Sequence, residues 1–318
     1  MKKLGVAVAL AAGTLLMTAP AFAQNQHRQG QGQGQAIVTV LPAHEGEQAV
    51  SVALQEVKIK LNGKQANVTS WTPFRDPDSR LELVLLIDSG ATRSLGEEMG
   101  DIRQFIHETP SNTKMAIAYM EDGRAAFAGP LSSNPAEVER GLHLPAGFPG
   151  SSASPYFCLS DLAKNWPSTD RTARREVIMI SDGVDPYQMQ YDPDDPYVQA
   201  AIQDSVHAGL VVHAIYWLSQ GRANRSGYES SAGQNLLLQL CQSTGGKSYW
   251  EGMGNPVSFE PYFKDLRRRL KNQYSLSFTS RLDGKPQVQT MKLQLAVSSA
   301  KVDAPQQVLV SPAGGAGE

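Results

Sequence analysis

A chain that sets short, continuously apolar runs between amphipathic stretches has few folds open to it, and residues 81–274 are written in this way throughout. The runs are Leu83–Ile87, Met115–Tyr119, Ala125–Ala128, Val177–Ile180 and Leu210–Ile215, with a last one at Ser248–Trp250. A strand that is apolar at every position has no face for water, so it belongs in a sheet covered on both sides. Between the runs, Leu95–Glu108, Pro135–Leu142, Pro155–Lys164, Tyr197–His207, Gly233–Ser243 and Pro256–Asn272 repeat apolar residues at helical spacing. Asn134 before Pro135 is a side-chain cap followed by a first-turn proline, and Gly245 stands where a helix should stop. The alternation predicts a doubly wound, Rossmann-like α/β domain over 81–274, with its site in the loops beyond the carboxyl ends of the strands.

The flanks read differently. In segment 37–80, Val57, Ile59 and Leu61 alternate with lysines, and Asn62-Gly63 offers the paired positive-φ residues of a tight hairpin before the return through Val68 and Trp71. In segment 275–310, with Tyr274 and Leu276 leading in, Asp283-Gly284 is placed to do the same before Met291, Leu293, Leu295 and Val297. One hairpin is marginal alone, so the two are expected to join as a small flanking β unit.

The ends predict processing and disorder. Residues 1–23 have the form of a signal peptide: Lys2 and Lys3, an apolar core, then Ala21-Phe22-Ala23 before the cut. Export to the periplasm or beyond follows, with no membrane span left in the product. The Gln/Gly tract at 24–36 and the tail at 311–318 are too polar or too glycine-rich to offset their ordering entropy, and are expected to be flexible. Lys and Arg number 29 against 31 Asp and Glu, and losing Lys2 and Lys3 deepens that acidic balance. A nucleic-acid partner held by phosphate neutralisation is thereby disfavoured. In an oxidising compartment Cys158 and Cys241 either pair or act as buried small hydrophobes.

Three loops carry chemistry. The first strand ends in Asp88-Ser89-Gly90-Ala91-Thr92, a later one in Ser181-Asp182-Gly183, and Gly150-Ser-Ser-Ala-Ser154 opens a helix between them. In this order they resemble the metal-ion-dependent adhesion site of von Willebrand factor type A domains, in a secreted bacterial branch. The likeness extends over Arg175–Gly183, Ala208–Ile215 and Thr244–Phe278. It implies a binding or adhesion module rather than an enzyme. Asp88, Thr92, Asp182 and either Ser152 or Ser154 would be ligands for Mg²⁺, or Mn²⁺ or Ca²⁺, whose open position takes an acidic side chain from a protein or surface partner. The family pattern is Asp-x-Ser-x-Ser, and Gly90 here removes one hydroxyl, so a water must fill in or the metal is lost. Without a metal, the same short polar residues satisfy free amides at helix starts. Ser89, Asp185, Tyr187 and Tyr191 are the expected partner contacts, and the product is expected to be monomeric.

The same octapeptide, Leu85–Thr92, also fits the Asp-Ser-Gly-Ala signature of retroviral-type aspartic proteases, with Asp88 catalytic. That chemistry needs two carboxylates sharing a proton, hence a homodimer, and an all-β fold. The aspartates between Ser181 and Pro196 read as a solvated acidic loop or a cation loop without EF-hand spacing. The basic residues between Lys264 and Lys271 read as the outer face of a helix, and His213 as a hydrogen-bonded core residue.

Overall fold

In a computed structural model of the chain the described residues are 30–44, 47, 50–74, 79–91, 93–147, 152–188, 190–218, 227–252, 254–282, 284–297 and 299–313. The signal-like segment and Thr92 lie outside them.

The chain opens on β1 (Gly30–Pro42), then forms a hairpin of β2 (Val57–Leu61) and β3 (Lys64–Pro73). Asn62 and Gly63 take φ values of 47° and 78° and set Leu61 opposite Lys64, the two-residue turn that Asn-Gly favours. The α/β domain follows: β4 (Leu81–Asp88), α1 (Met99–Glu108), β5 (Thr113–Glu121), β6 (Arg124–Phe127), α2 (Pro135–Glu139) and α3 (Pro155–Lys164). It continues through β7 (Arg174–Ser181), α4 (Pro196–Ala208), β8 (Leu210–Tyr216), α5 (Gly227–Thr244), β9 (Ser248–Tyr249) and α6 (Glu260–Leu270). The return is all strand: β10 (Gln273–Leu282), β11 (Gln287–Leu295), β12 (Ala300–Asp303) and β13 (Gln307–Pro312).

The six-stranded sheet has the order β6-β5-β4-β7-β8-β9, parallel except for antiparallel β6 at its edge. Winding therefore starts at β4, runs outward one way, and reverses between β4 and β7. Side chains of β4 alternate between two cores. Leu83, Leu85 and Ile87 pack with α1 and α6 residues such as Phe105 and Phe263; Val84 and Leu86 pack with α3, α4 and α5. The alternation explains why every residue of β4 is buried.

The flanks form a seven-stranded antiparallel sheet in the order β10-β3-β2-β11-β13-β1-β12, closed by pairing of β10 with β1. This closed sheet is larger than a pair of hairpins, and it corrects three expectations. Gly30–Gln35, placed in the flexible leader, are strand. Gly32 is buried, its glutamine neighbours are exposed, and the glycine face lies against the barrel core. A Cβ on Gly32 would stand 2.6 Å from Val310, and one on Gly34 would stand 2.5 Å from the Phe278 ring. Composition suggested disorder; the period-two spacing of the glycines instead serves close packing. Ser311 and Pro312 belong to β13, and the Ala313 amide donates to the Gln31 carbonyl at 2.8 Å. Finally, β10 and β11 do not pair with each other: β10 lies between β1 and β3, and β11 between β2 and β13. Alternation fixes which face of a strand is buried but not which edge meets which, and Trp71 of β3 stacks on Tyr274 of β10 at 4.6 Å.

Cys158 and Cys241 are free, buried in α3 and α5 on the same face of the sheet. Their thiols are small core hydrophobes, and burial pushes both pKa values up.

Candidate functional site at the carboxyl edge of the sheet

Parallel β4 and β7 place Ile87 opposite Ile180, so the residues that follow, Asp88 and Ser181, emerge side by side at the point where winding reverses. That crevice is where doubly wound sheets bind ligands. Asp88 is buried. Its Oδ1 accepts the Gly90 amide at 2.8 Å and its Oδ2 accepts the Ser181 hydroxyl at 3.1 Å. Burial, then the negative charge of Asp182, raise its pKa to about 6, against the opposing pull of the Gly90 amide and the Ser181 and Ser152 hydroxyls. Asp182, also buried, accepts the Val184 amide at 3.1 Å.

Asp88, Asp182 and Ser152 therefore come together, the Ser152 hydroxyl near enough to Asp88 to favour its charged form. Ser154 serves differently. It is the N-cap of α3, its hydroxyl oxygen accepting the Tyr156 amide at 3.3 Å, and it also lies beside Asp185. Thr92 lies outside the described residues. Gly90, where the adhesion-site pattern has a hydroxyl, donates an amide instead of offering an oxygen. Two carboxylates and a serine hydroxyl suit a hard cation in kind, and water would have to complete its shell. No group of three or more His, Cys, Asp and Glu side chains able to hold a metal occurs among the described residues.

Next to this pair stands a second one. Asp185 accepts the Tyr187 amide at 3.0 Å, and Asp195, the N-cap of α4, accepts the amides of Tyr197 and Val198 at 2.8 and 3.2 Å. Both are fully buried. Burial first, and Asp195 next, raise the pKa of Asp185. Tyr156 links the pairs: its hydroxyl donates to the Gly183 carbonyl at 2.6 Å, and burial together with Asp185, Asp182 and Asp195 holds its pKa high. Gly183 has φ of 65°, and its missing side chain admits Leu237 of α5.

The expected contact residues separate by exposure. Ser89 and Asp185 are buried, so neither offers a side chain to a partner: Ser89 is wound into a tight turn under the crevice, and Asp185 caps its own loop. Tyr187 and Tyr191 are exposed, at 61% and 41%. Tyr187 is part of a cluster with Phe157 and Tyr197, ring centroids 4.8 to 5.7 Å apart. Phe157 and Ser181 were not among the residues expected at the site. Ser181 was findable from strand register, whereas Phe157 joins only through the packing of α3 on α4.

The aspartic-protease reading loses its structural premise here. Asp88 ends a parallel strand in a helix-covered sheet rather than lying in an all-β lobe that a second copy could complete.

No family model matches the chain, and no curated protein matches it. Among solved structures, an aerotolerance-related membrane protein from Bacteroides fragilis NCTC 9343 is 12% identical, with a TM-score of 0.41, covering 60% of this chain and 98% of that one. Proximal thread matrix protein 1 from the mussel byssus, solved with a zinc-occupied MIDAS motif, is 12% identical with a TM-score of 0.42, covering 65% and 50%. The pilus adhesin SpaC from Lactobacillus rhamnosus GG is 9% identical with a TM-score of 0.41, covering 85% and 49%. These scores lie below 0.5, so the architecture rests on the strand order itself. That order, with helices on both faces, is a doubly wound α/β fold in which Asp88, Ser152 and Asp182 gather where the winding reverses.

Proposed function

We propose that the chain is an exported, monomeric binding module that recognises a protein or surface ligand at the carboxyl edge of its α/β sheet. The observation that carries this reading is the cluster of exposed Tyr187 and Tyr197 on half-buried Phe157, with Tyr191 in the same loop as Tyr187, set beside the buried Asp88–Asp182 pair. Aromatic rings give large contact area for little side-chain entropy, and tyrosines are enriched where partners meet. In this reading a divalent cation, Mg²⁺ above all, binds Asp88, Asp182 and the Ser152 hydroxyl, and an acidic side chain of the partner completes its shell. Such a cation supplies a positive anchor beside the carboxylates of Asp88 and Asp182. The acidic loop disfavours nucleic acid by its negative charge.

A photo-crosslinking amino acid placed at Tyr187 or Tyr191, with exposed Lys292 on the barrel as control, tests the proposal. A product formed from the two tyrosine positions, absent from position 292, and lost with EDTA or with Asp88→Asn is expected. Equal products from all three positions, or indifference to both treatments, would overturn it.

A further inference from the structure

The two halves of the chain divide its charge unevenly. Residues 81–274 hold 17 Lys and Arg against 23 Asp and Glu. The seven strands of the closed sheet hold six Lys and Arg against one acid, Asp303, which Arg269 of α6 already binds. The near balance of the whole chain therefore hides an acidic α/β half and a basic barrel.

The excess gathers on one face. Strand β2 lies between β3 and β11. Its residues Val57, Ile59 and Leu61 are buried in the barrel, so Lys58 and Lys60 point outward and are exposed. The register sets Lys60 opposite Lys292 of β11, also exposed, and Lys58 opposite Gln294. Opposed residues of an antiparallel pair have Cβ atoms about 5 Å apart, and diagonal ones such as Lys58 and Lys292 about 7–8 Å. Like charges placed so destabilise a sheet, and no acid relieves them. Strands β2, β3 and β11 contain no Asp or Glu. Glu56, just before β2, is turned back onto the Ala53 amide at 2.7 Å. Among the described residues no ion pair involves any of the three lysines.

The chemistry of the face narrows its partner. Its other exposed residues, Gln65, Asn67 and Thr290, are polar and none is aromatic, so it offers no stacking platform for a nucleic-acid strand. Lysine is a hydrated point charge without the planar fork that reads one carboxylate or phosphate. A planar array of anionic headgroups needs only exposed positive charge. We propose that the face bearing Lys58, Lys60 and Lys292 seats the barrel on an anionic lipid surface, its ammonium groups among the headgroup phosphates. With no apolar side chain to insert, contact is electrostatic and salt-sensitive. The face is independent of the carboxyl edge and of the function assigned there. In solution without lipid it has no partner, so position 292 keeps its place as the control above.

Cosedimentation of the full chain with sucrose-loaded vesicles at about 50 mM salt tests it, with equimolar phosphatidylglycerol and phosphatidylcholine set against phosphatidylcholine alone. Binding to the anionic vesicles only is expected, falling at least about tenfold at roughly 0.5 M salt. Each lysine near such a surface contributes roughly fivefold. Lys60→Gln combined with Lys292→Gln should therefore weaken binding by about twentyfold with no fall in melting temperature. Lys264→Gln, at an exposed position of α6, should change nothing. No binding to anionic vesicles, equal binding to neutral ones, indifference to salt, unchanged binding in the double variant, or an equal loss in Lys264→Gln would each overturn the proposal. So would poly-L-glutamate or oligothymidylate bound more tightly per charge than the vesicles, which would give the face to a soluble polyanion.

Discussion

Ser181 ends β7 and donates its hydroxyl to the carboxylate of Asp88, which ends β4, across 3.1 Å. The bond, with the Gly90 amide on the other oxygen, holds a buried charge in place without cancelling its cost, because Asp182 adds a second negative charge nearby. The pKa of Asp88 rises from 3.8 to about 6. Between those values the folded protein binds more protons than the unfolded chain, so the contribution of Asp88 to stability improves as pH falls through 6 and levels off below 3.8. The penalty above pH 6 is about 3 kcal/mol. Asp88→Asn keeps an acceptor for Gly90 and removes the charge. In EDTA it should be more stable than the parent at pH 7.5, with the gap closing by pH 4. Urea denaturation at both pH values checks this, and a gap independent of pH would contradict it.

A cation at the same place changes the outcome. If Asp88, Asp182 and Ser152 hold Mg²⁺ or Mn²⁺, ion at about a hundredfold over its dissociation constant adds roughly 2.7 kcal/mol. That corresponds to a rise of several degrees in Tm at pH 7.5. Asp88→Asn and Asp182→Asn should each abolish the rise. At pH 5 it should shrink in the parent, because a proton on Asp88 competes with the metal. Differential scanning calorimetry with and without ion measures all of these, and a rise that survives Asp88→Asn would remove the assigned ligands.

The α/β half of the molecule is legible in the sequence because its information is local. Strands buried on both faces must be continuously apolar, and caps such as Asn134 and Ser154 mark where helices begin. At the site, the positions of Asp88 and Asp182 were legible for the same reason, Asp88 ending one readable strand and Asp182 directly following another. The barrel half was legible only as strands. Which edges pair depends on contacts distant in sequence, such as Gly34 with Phe278, and nothing in the alternation of β10 or β11 encodes their separation. The burial of Asp185 was equally hidden, since a carboxylate in a Pro- and Asp-rich loop reads as solvated until α4 and its cap are seen to enclose it.

The close packing of the Gln/Gly segment is directly testable. A side chain at Gly34 meets the Phe278 ring and the Leu309 carbonyl, the latter at 2.6 Å. Gly34→Val should cost about 1–3 kcal/mol through overpacking of the barrel. Gln33→Val, at an exposed position of the same strand, should stay within about 0.5 kcal/mol. Denaturant unfolding of the pair separates a packed strand from a flexible leader, for which both changes would be silent.

The cysteines give a chemical readout of the core. Cys158 and Cys241 are fully buried, and burial disfavours the reactive thiolate of each. A thiol reagent such as dithiobis-nitrobenzoate should label neither in the native protein and both in denaturant, and a reducing agent should leave Tm unchanged. Native protein that yields two titratable thiols only after reduction would show a bridge instead.

The most buried ionic group in the sheet sets a last expectation. His213 Nδ1 accepts the Lys247 amide at 3.0 Å, so its Nε2 carries the hydrogen and donates to Glu176 Oε2 at 2.9 Å. Glu176 Oε1 faces Arg174 Nε at 3.7 Å, and Glu176 is fully buried. One carboxylate thus compensates a guanidinium and an imidazole on neighbouring strands, β7 and β8. Glu176→Ala leaves the His213 Nε2–H without its acceptor and Arg174 without its counter-charge, and losing one partner of a buried ionic group costs about 3–5 kcal/mol. Glu176→Gln retains an oxygen for His213 and loses only the charge that faces Arg174, so its loss should be smaller, about 1–3 kcal/mol. Chemical denaturation of the two variants orders these contributions. Equal losses would mean that the hydrogen bond to His213 adds nothing, and a silent Glu176→Gln would mean that Arg174 draws no support from the charge behind it.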